Sequence, residues 1–339
     1  MTVREVRFIP RPEQFSWTFG GSEPVLSIGP GDVLTLFTED AFGGRITSTE
    51  DVPTERASAP FLNPQTGPFL VDGAEPGDTL AVHIISVRPA RDWGVSTTSP
   101  LFGALVGTRH TANLQPDLPE RTWIYRVDRE VDELIYRAND SDFETRLPLR
   151  PFLGTIAVAP AFNEVRSTLV PDTFGGNMDS AAVCAGTTVY LGVNVPGALL
   201  SVGDGHYTMG DGEACGVAVE GAMDVELTVD VLKATSCPWP RFESDDSIMV
   251  AGSARPLEDA FRIAHAELVR WIMAGARLSL LDAYQLVSQG SHSQIANVCD
   301  PNYTVVAQFP KRLLPPQTDW MNGTHERLQS IAAGRSVRS

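Results

Sequence analysis

Acidic residues and a histidine are concentrated among glycines between positions 201 and 220. This stretch carries Asp204, His206, Asp211, Glu213 and Glu220 together with five glycines. Glycine lets the backbone turn sharply and approach a ligand closely, so the side chains between can converge on one point. Imidazole and carboxylate groups at this spacing could share a divalent metal ion or divide general acid and base roles. A polar β-turn with an Asp-Gly pair at its tip is the alternative interpretation. We interpret the stretch as an active-site loop.

Two further glycine-rich turns carry polar side chains that could complete such a site. Gly175-Gly176 precedes Asn177 and Asp179, and its backbone N–H groups could polarise a carbonyl, although an ordinary turn uses the same residues. Asp40 stands before another Gly-Gly pair at a strand end, and Glu75 lies in a Pro-Gly turn. Strand-end carboxylates suit a site at the rim of a β-fold, but either residue alone is more typical of a solvated turn.

A weak internal sequence repeat relates two of these residues. Pro30-Gly31 and Pro196-Gly197 each precede an apolar run, and ten residues beyond the two prolines stand Asp40 and His206. Proline presets the turn and glycine supplies the positive φ. The two turn-strand units could therefore deliver Asp40 and His206 to one end of the sheets, or the match could be coincidence.

The elements that must position these residues are mostly strands. Short β-branched and aromatic runs punctuated by Gly, Pro and Asp fill the first 250 residues, with no helical period between most of them. This pattern predicts a mainly β (α+β) fold of antiparallel sheets, arranged as a sandwich or barrel. The clearest strand runs are Val33–Phe37, Leu80–Val87, Thr188–Val193 and Val225–Val231.

Helical periodicity is confined to the last third of the chain. Apolar residues from Pro256 to Ala274 recur at 3.6-residue spacing, and we expect Gly275 to end this helix. Ser279 and Asp282 resemble a capping box that opens a second helix through Val287.

The 339 residues are enough for one large core or two closely packed ones. We predict a catalytic core of two β subdomains over residues 1–250, a helical segment over 251–315 that returns to the core, and a tail helix over 316–339 with a frayed end.

The composition excludes several classes of function. A net charge of −16 argues against a nucleic-acid partner, because such affinity depends on clustered Lys and Arg. No apolar run of membrane-spanning length and no signal-peptide pattern is present, so we expect no membrane partner and a cytoplasmic location. Nucleotide-binding glycine motifs and the G-x-S-x-G elbow of α/β hydrolases are also missing. Of the four scattered cysteines, Cys215 lies in the loop and is either a nucleophile or a small apolar residue.

Taken together, the turns described above and several further segments resemble the acetamidase/formamidase family. The matching segments occur in the same order as in the family, from about residue 20 to residue 315. The resemblance implies a mainly β protein that hydrolyses the C–N bond of small amides, and Asn63-Pro-Gln-Thr favours the acetamidase-like branch. The matching pieces are Asp40-Ala-Phe-Gly-Gly, Asn63-Pro-Gln-Thr-Gly-Pro-Phe, Gly73-Ala-Glu-Pro-Gly-Asp, Pro151-Phe-Leu-Gly-Thr-Ile-Ala-Val-Ala-Pro, Gly175-Gly-Asn-Met-Asp, Gly203-Asp-Gly-His-Tyr-Thr-Met-Gly-Asp-Gly-Glu, Gly216-Val-Ala-Val-Glu and Asn297-Val-Cys-Asp-Pro-Asn-Tyr-Thr-Val-Val.

Amide hydrolysis needs an activated nucleophile, a stabiliser for the charge on the carbonyl oxygen and an acid for the departing amine. Our hypothesis is that His206, Asp211 and Asp40 hold a divalent ion such as zinc. Glu213 or Glu220 would then be the general base, with Asp211 also a catalytic candidate. The substrate would be oriented by Asn177 and by the group Gly175, Gly176, Asp179 and Glu75.

Alternatives stay open at this point. A metal-free amidase could use a carboxylate directly or the thiol of Cys215. A β protein that binds a small molecule without turnover is a different class, although its usual aromatic platforms are not evident among the dispersed tryptophans. The expected partner is a small amide, and the late amphipathic helices would suit a homodimer surface.

Overall fold

The computed structural model describes residues 3–106, 118–316 and 318–336. Its elements are mostly antiparallel strands, and apart from one short helix early in the chain its α-helices lie in the last third. The predicted mainly β fold with late helices is therefore confirmed. None of the helices in these ranges is long and apolar enough to cross a membrane.

Nine strands form the first sheet, and all four of the predicted strand runs lie in it. In chain order they are β1 (Glu5–Phe8), β4 (Val33–Thr38), β6 (Thr79–Pro89), β14 (Thr188–Gly192), β17 (Met223–Leu232), β18 (Arg241–Glu243), β19 (Ser247–Ala254), β20 (His292–Asn297) and β21 (Tyr303–Pro310). Their spatial order is β1-β4-β17-β6-β14-β18-β19-β21-β20. Every neighbouring pair is antiparallel except β1 with β4.

Ten strands form the second sheet, which branches around its longest member. They are β3 (Leu26–Ile28), β5 (Gln65–Val71), β7 (Trp93–Thr98), β8 (Arg121–Asp128), β9 (Glu133–Arg137), β10 (Glu144–Pro148), β11 (Phe152–Ala157), β13 (Gly175–Asn177), β15 (Leu200–Thr208) and β16 (Val219–Glu220). β15 pairs with β11 along one edge and with both β5 and β16 along the other. A separate two-stranded ribbon joins β2 (Thr18–Phe19) to β12 (Arg166–Ser167).

The main core lies between the two sheets. Leu34 and Leu227 of the first sheet and Phe69, Leu153 and Val202 of the second belong to one buried apolar cluster. Because successive side chains of a strand point to opposite faces, each sheet can contribute one face to this cluster. The architecture is a sandwich, and β15 is a central strand of its second layer.

The other face of the first sheet is covered by helices. Among the described residues the α-helices are α1 (Pro53–Arg56), α2 (Leu257–Ala276), α3 (Leu280–Gly290) and α4 (Thr324–Ser336), and the last three contact strands of the first sheet. Val82 of β6 faces the main core, whereas its neighbour Ala81 joins a second cluster with Val250, Ala264 and Leu268. Burying both faces of its central strands holds the first sheet firmly as a support for the second.

One predicted helix end was wrong and one predicted helix start is confirmed. α2 continues through Gly275 and is capped by Arg277 in the left-handed conformation. Gly275 is needed for packing, because a Cβ there would lie 2.4 Å from the ring of Trp320. The Ser279 hydroxyl caps α3 by accepting from the backbone N–H of Asp282 at 3.2 Å. The second helix runs to Gly290, past its predicted end at Val287.

After α3 the chain returns to the first sheet as β20 and β21 and then forms α4. Residues 337–339, where the frayed end was predicted, lie outside the described residues. The division of residues 1–250 into two subdomains stays a prediction.

Candidate active site

β15 carries the centre of the site. In its register, His206 lies between Phe152 of β11 and Glu220 of β16. The Phe152 ring meets the imidazole edge to face at 4.9 Å between centroids, which fixes the plane of the imidazole. Asp204 stands two residues before His206 on the same strand, and all three polar residues are buried. One strand and its two partners therefore deliver an imidazole and two carboxylates to one point.

Two sets of side chains around His206 have ligand atoms within 4.8 Å of one another: Asp204, His206 and Glu220, and Asp179, His206 and Glu213. His206 belongs to both sets. Its Nε2 lies 3.3 Å from Asp204 Oδ2 and 3.3 Å from Glu220 Oε1, and 4.0 Å from Asp179 Oδ1. We call these five residues the His206 cluster.

Asp179 reaches the cluster because β11 leaves room for it. The backbone N–H of Asp179 donates to the carbonyl of Gly154 at 3.0 Å, which anchors the end of β13 to β11. A Cβ at position 154 would lie 2.4 Å from Asp204 Oδ2 and 2.8 Å from Asp179 Oδ1. Only glycine at 154 lets these two carboxylates approach the imidazole.

Glu213 is brought in by a loop that is fastened to β20. The N–H of Gly212 donates to the carbonyl of Ile295 at 2.8 Å, and the N–H of Val298 donates to the carbonyl of Gly212 at 3.0 Å. The thiol of Cys299 then donates to Glu213 Oε2 at 3.1 Å. The glycine-rich stretch thus delivers Glu213 through contacts with a strand more than eighty residues later in the sequence.

The backbone of the cluster is strained at three acidic residues. Asp179, Asp204 and Glu213 have φ values of 51°, 58° and 47°, in the left-handed region. Non-glycine residues seldom adopt this conformation, and where surrounding structure enforces it the strain often belongs to a functional site. Three such residues converging on one histidine indicate a site shaped for function rather than for stability.

Asn177 holds two of the acids in place. Its Oδ1 accepts from Asn63 Nδ2 at 2.6 Å and from the Thr155 hydroxyl. Its Nδ2 donates to Asp300 Oδ2 at 2.8 Å and to Asp179 Oδ2 at 3.3 Å. Both ends of the side-chain amide are therefore used within the protein. The side chain of Asn177 therefore contacts Asp179 and Asp300, and its predicted role in orienting the substrate stays a prediction.

The cluster holds an excess of negative charge. In the parts of the chain that the structure describes, no Lys or Arg side chain forms an ion pair with Asp179, Asp204, Glu213, Glu220 or Asp300. Burying several carboxylates without a cation is costly, since each loses its hydration. A bound cation would remove that cost.

Burial dominates the titration of the acids. It raises the pKa of Glu213 to about 8, that of Glu220 to about 7 and that of Asp300 to about 7. Burial also raises the pKa of Asp179 well above its usual range, with further contributions from Glu213 and Asp300. At Asp204 burial is the largest single cause and acts in the same direction, but the charge of His206 together with hydrogen bonds to His206, Glu220 and Asp179 outweighs it and lowers the pKa.

His206 behaves in the opposite way to an isolated buried histidine. Burial alone lowers the pKa of an imidazole, but Glu220 and Asp204 more than offset this and raise the pKa of His206 well above its usual value. A divalent cation beside these carboxylates would replace the proton that they otherwise attract to the ring.

Several buried polar atoms of the cluster have no hydrogen-bond partner among the described residues. They include both ring nitrogens of His206, Asp179 Oδ1 and Glu220 Oε2. Such orphaned atoms are rare in native interiors and indicate a missing ion, water or ligand. One imidazole nitrogen with several carboxylate oxygens is a donor set suited to zinc and similar divalent ions. The residues present therefore fit a divalent cation.

The structure brings some of the predicted site residues together and separates others. His206, Glu213, Glu220 and Asp179 all lie in the His206 cluster. Asp40 does not join either set of possible ligands among the described residues, because its carboxylate accepts from Arg91 Nη1 at 2.8 Å and from the N–H groups of Phe42 and Gly44. The two turn-strand units do not bring Asp40 to His206, because their strands β4 and β15 belong to different sheets.

Four other predicted site residues lie outside the His206 cluster. Asp211 is exposed and accepts from Gln294 Nε2 at 2.7 Å, so it ties the loop to β20. Glu75 is exposed in the turn before β6. Gly175 and Gly176 form the paired strand β13, where Gly175 donates its N–H to the carbonyl of Asp172 at 3.1 Å. These placements make Asp211 and Glu75 surface residues and the two glycines part of the scaffold.

Sequence reasoning missed the polar residues that surround the cluster. Asn63, Thr155, Asp300, Asn297 and Cys299 are buried and belong to its hydrogen-bond network. Two of the segments that carry the resemblance, Asn63-Pro-Gln-Thr and Asn297-Val-Cys-Asp, contain four of them. No spacing along the chain could indicate their roles, because the hydrogen-bonded partners are mostly more than ninety residues apart.

Fold and site together define a mainly β protein with a buried centre of one histidine and several carboxylates. A model of the Acetamidase/Formamidase family matches residues 21–163 and 119–256. The chain belongs to this family.

Individual relatives agree with this assignment. The solved structure of an acetamidase from Yersinia enterocolitica is 40% identical, covers 93% of this chain and 94% of its own, and superposes with a TM-score of 0.87. The formamidase of Methylophilus methylotrophus is 27% identical over 62% of this chain, and the acetamidase of Mycolicibacterium smegmatis is 27% identical over 50%. The matches span 61% and 53% of the lengths of these two relatives.

Proposed function

We propose that this protein hydrolyses the C–N bond of small aliphatic amides, releasing ammonia and a carboxylate. The observation that carries the proposal is the His206 cluster, a buried group of acids with raised pKa values around one imidazole, in a chain of this family. Groups whose pKa lies near neutrality can both accept and return a proton, which amide hydrolysis requires. The family names of the relatives support a formamide- or acetamide-like substrate.

A divalent cation, for which we propose zinc, would be held by Asp204, His206 and Glu220, with Asp179 adjacent. This set replaces the predicted ligands Asp40 and Asp211, whose carboxylates are engaged elsewhere. When bound, such an ion polarises a carbonyl and lowers the pKa of water. The unpaired nitrogens of His206 and the surplus of buried carboxylates support its presence.

Glu213 is the general base in this proposal. Burial raises its pKa to about 8, so it is able to take a proton from the attacking water and give it to the departing nitrogen, which leaves as ammonia. The thiol of Cys299 donates to one carboxylate oxygen of Glu213, Oε2, and so helps to fix the orientation of this carboxylate. Asn177 keeps Asp179 and Asp300 in fixed positions through its two N–H groups.

A cysteine nucleophile has less support. Cys215 is exposed, and its thiol donates to the carbonyl of Val217 at 3.1 Å. Cys299 touches the cluster, but burial and the neighbouring acids raise the pKa of its thiol, which disfavours the reactive thiolate.

Ammonia release from formamide, acetamide, propionamide and urea tests the function. Untagged protein should release ammonia from at least one of these amides, contain a stoichiometric divalent metal, lose activity on chelation and regain it when zinc is added. If none of the four compounds releases ammonia, a protein that binds a small molecule without turnover would be favoured. Full activity without metal would favour carboxylate catalysis, and loss of activity in Cys215→Ser with metal retained would favour the thiol.

A matched pair of variants tests the base. Glu213→Gln should lower kcat by about 100-fold or more, as expected for removal of a general base. Asp211→Asn, in the same loop but exposed, should change kcat less than about threefold, as surface substitutions usually do. Equal losses in both variants would contradict the assignment.

A cytoplasmic location and a homodimer are further proposals from the sequence. Cell fractionation and light scattering of the purified protein test them separately.

A further inference from the structure

Two buried side-chain amides beside the His206 cluster present carbonyl oxygens to which no group among the described residues donates a hydrogen bond. Gln65 Oε1 and Asn297 Oδ1 have no hydrogen-bond partner among the described residues, although both side chains are 0% exposed. A buried acceptor that is left unpaired has lost its hydration without compensation, so such groups call for a functional explanation.

The orientation of the Gln65 amide is fixed. Its Nε2 donates to Asn63 Oδ1 at 2.8 Å and to the Asn63 carbonyl at 3.2 Å. Because both partners can only accept, turning the amide over would place oxygen against oxygen. Oε1 is therefore the atom that is left unpaired.

Asn297 is fixed in the same way. Its Nδ2 donates to Asp179 Oδ2 at 3.1 Å and lies 3.4 Å from the carbonyl of Asn177 and 3.5 Å from that of Met178. These three oxygens are acceptors, so the nitrogen must face them and Oδ1 must face away.

Both amides adjoin the cluster. Asn297 touches Asp179 directly, and its strand end is bridged to Gly212, next to Glu213. Gln65 lies across β15 at Gly203, the residue before Asp204. A Cβ at Gly203 would lie 2.6 Å from both Gln65 Oε1 and Nε2, so only glycine lets the amide cross the strand there.

One chain of hydrogen bonds joins the two amides and passes through the cluster. Gln65 donates to Asn63, Asn63 to Asn177, and both Asn177 and Asn297 donate to Asp179 Oδ2. Each side-chain amide nitrogen in this series of hydrogen bonds donates to another member of the series. The amide oxygens at its two ends, Gln65 Oε1 and Asn297 Oδ1, take no part in it.

We propose that Gln65 Oε1 and Asn297 Oδ1 accept the N–H groups of the substrate, so that the site selects unsubstituted primary amides. This inference rests on the proposed function and adds the basis of its specificity. A primary amide differs from a ketone or an ester of the same shape by its –NH₂ group, which only acceptors can recognise. A site with buried acceptors rejects analogues that lack the matching donors, because the acceptors then stay unpaired.

Acetamide and acetone form a matched pair of ligands for the test, since acetone carries a methyl group in place of –NH₂. Binding of both is measured by ligand-observed NMR with the metal-loaded Glu213→Gln protein, in which acetamide is expected to be consumed about 100-fold or more slowly. We expect acetamide to bind about tenfold or more tightly than acetone, as two hydrogen bonds to buried acceptors would give.

Gln65→Met and Asn297→Leu remove the two oxygens at similar side-chain volume. In the same Glu213→Gln background each should reduce the acetamide-to-acetone preference from about tenfold to about threefold, because one of the two hydrogen bonds is lost, and leave acetone binding unchanged. The control is Gln308→Met, because the amide of Gln308 on β21 donates to Ser247 Oγ at 2.8 Å outside the cluster. It should keep the full preference.

A purely structural role would weaken acetamide and acetone binding by equal factors in both variants, and this result would overturn the inference. So would equal binding of the two ligands before either substitution, a measurement that needs no new variant to fold. Ammonia release by the wild-type protein is scored separately. A protein that prefers acetamide but releases no ammonia would keep the recognition and reject the hydrolysis.

Discussion

Gly154 shows how much of the site depends on one absent side chain. We predict that Gly154→Ala lowers metal content and amidase activity by at least about tenfold, because its Cβ would lie 2.4 Å from Asp204 Oδ2 and 2.9 Å from His206 Cε1. Metal analysis and ammonia release measure both effects.

The control is Gly210→Ala, in the loop after β15, where a Cβ meets no heavy atom within 4 Å. It should retain both metal and activity. Normal metal binding in Gly154→Ala would mean that the acids have more freedom than the packing around Gly154 allows.

At the scale of residues, the sequence located the functional stretch, residues 201–220, but was less successful in identifying which side chains come together in the site. His206, Glu213 and Glu220 were candidates because acids and a histidine stand close together among glycines. Asp211 shares that pattern but is turned outward to Gln294, and Asp40 is engaged by Arg91, fifty-one residues later. Partners that far apart in the chain leave no local signal, so neither outcome could be predicted.

At the scale of elements, the docking of α4 depends on a threonine between two histidines. Thr188 Oγ1 on β14 lies 2.9 Å from Nδ1 of His83 and 2.8 Å from Nδ1 of His325 in α4. A hydroxyl can donate to one ring and accept from the other. Thr188→Val would leave both buried nitrogens unpaired.

We predict that Thr188→Val lowers the free energy of unfolding by about 1–3 kcal/mol, with kcat and metal content unchanged. Denaturant unfolding measures the loss. Thr38→Val is the control, because the buried Thr38 hydroxyl has no partner in the described part of the chain, and its removal should be neutral or stabilising. A similar loss of unfolding free energy in both variants would show that the contacts of Thr188 with His83 and His325 do not stabilise α4.

The predictions of helix ends and strands were based on neighbouring residues in the sequence. They were correct where neighbouring residues alone determine the structure. The Ser279 cap needs only its own turn, and the four strand runs need only their pattern of buried residues. Gly275 was expected to end α2 because glycine is a common helix terminator. Its actual constraint is Trp320, a residue forty-five positions later that occupies the space of a side chain.

At the scale of the whole molecule, the buried acids in and beside the His206 cluster make stability depend on pH. Glu213, Glu220 and Asp300 have folded-state pKa values raised to about 8, 7 and 7, from ordinary values of 4.5, 4.5 and 3.8. The folded protein therefore binds more protons than the unfolded chain between these limits. By linkage, its stability is greatest below pH of about 4 as far as these groups are concerned, and falls as pH rises through 8.

We predict that the melting temperature of the metal-free protein falls as pH rises from about 5 to 8, and that saturating zinc reverses the fall at the upper end. Calorimetry with and without metal checks this. Glu220→Gln should flatten the metal-free profile, because one titrating group is removed. A melting temperature that rises with pH in the metal-free protein would contradict the raised pKa values.

The attachment of the Gly212 loop to β20 also sets an order of events during synthesis. Glu213 emerges from the ribosome well before Ile295, Val298 and Cys299, the residues that hold its loop. Asp300, which Asn177 binds, emerges with them. Because folding during translation proceeds from the N-terminus, the nascent chain carries Glu213 without the strand that holds its loop while more than eighty further residues are made. The site is therefore completed only once β20 and the residues up to Asp300 have been made.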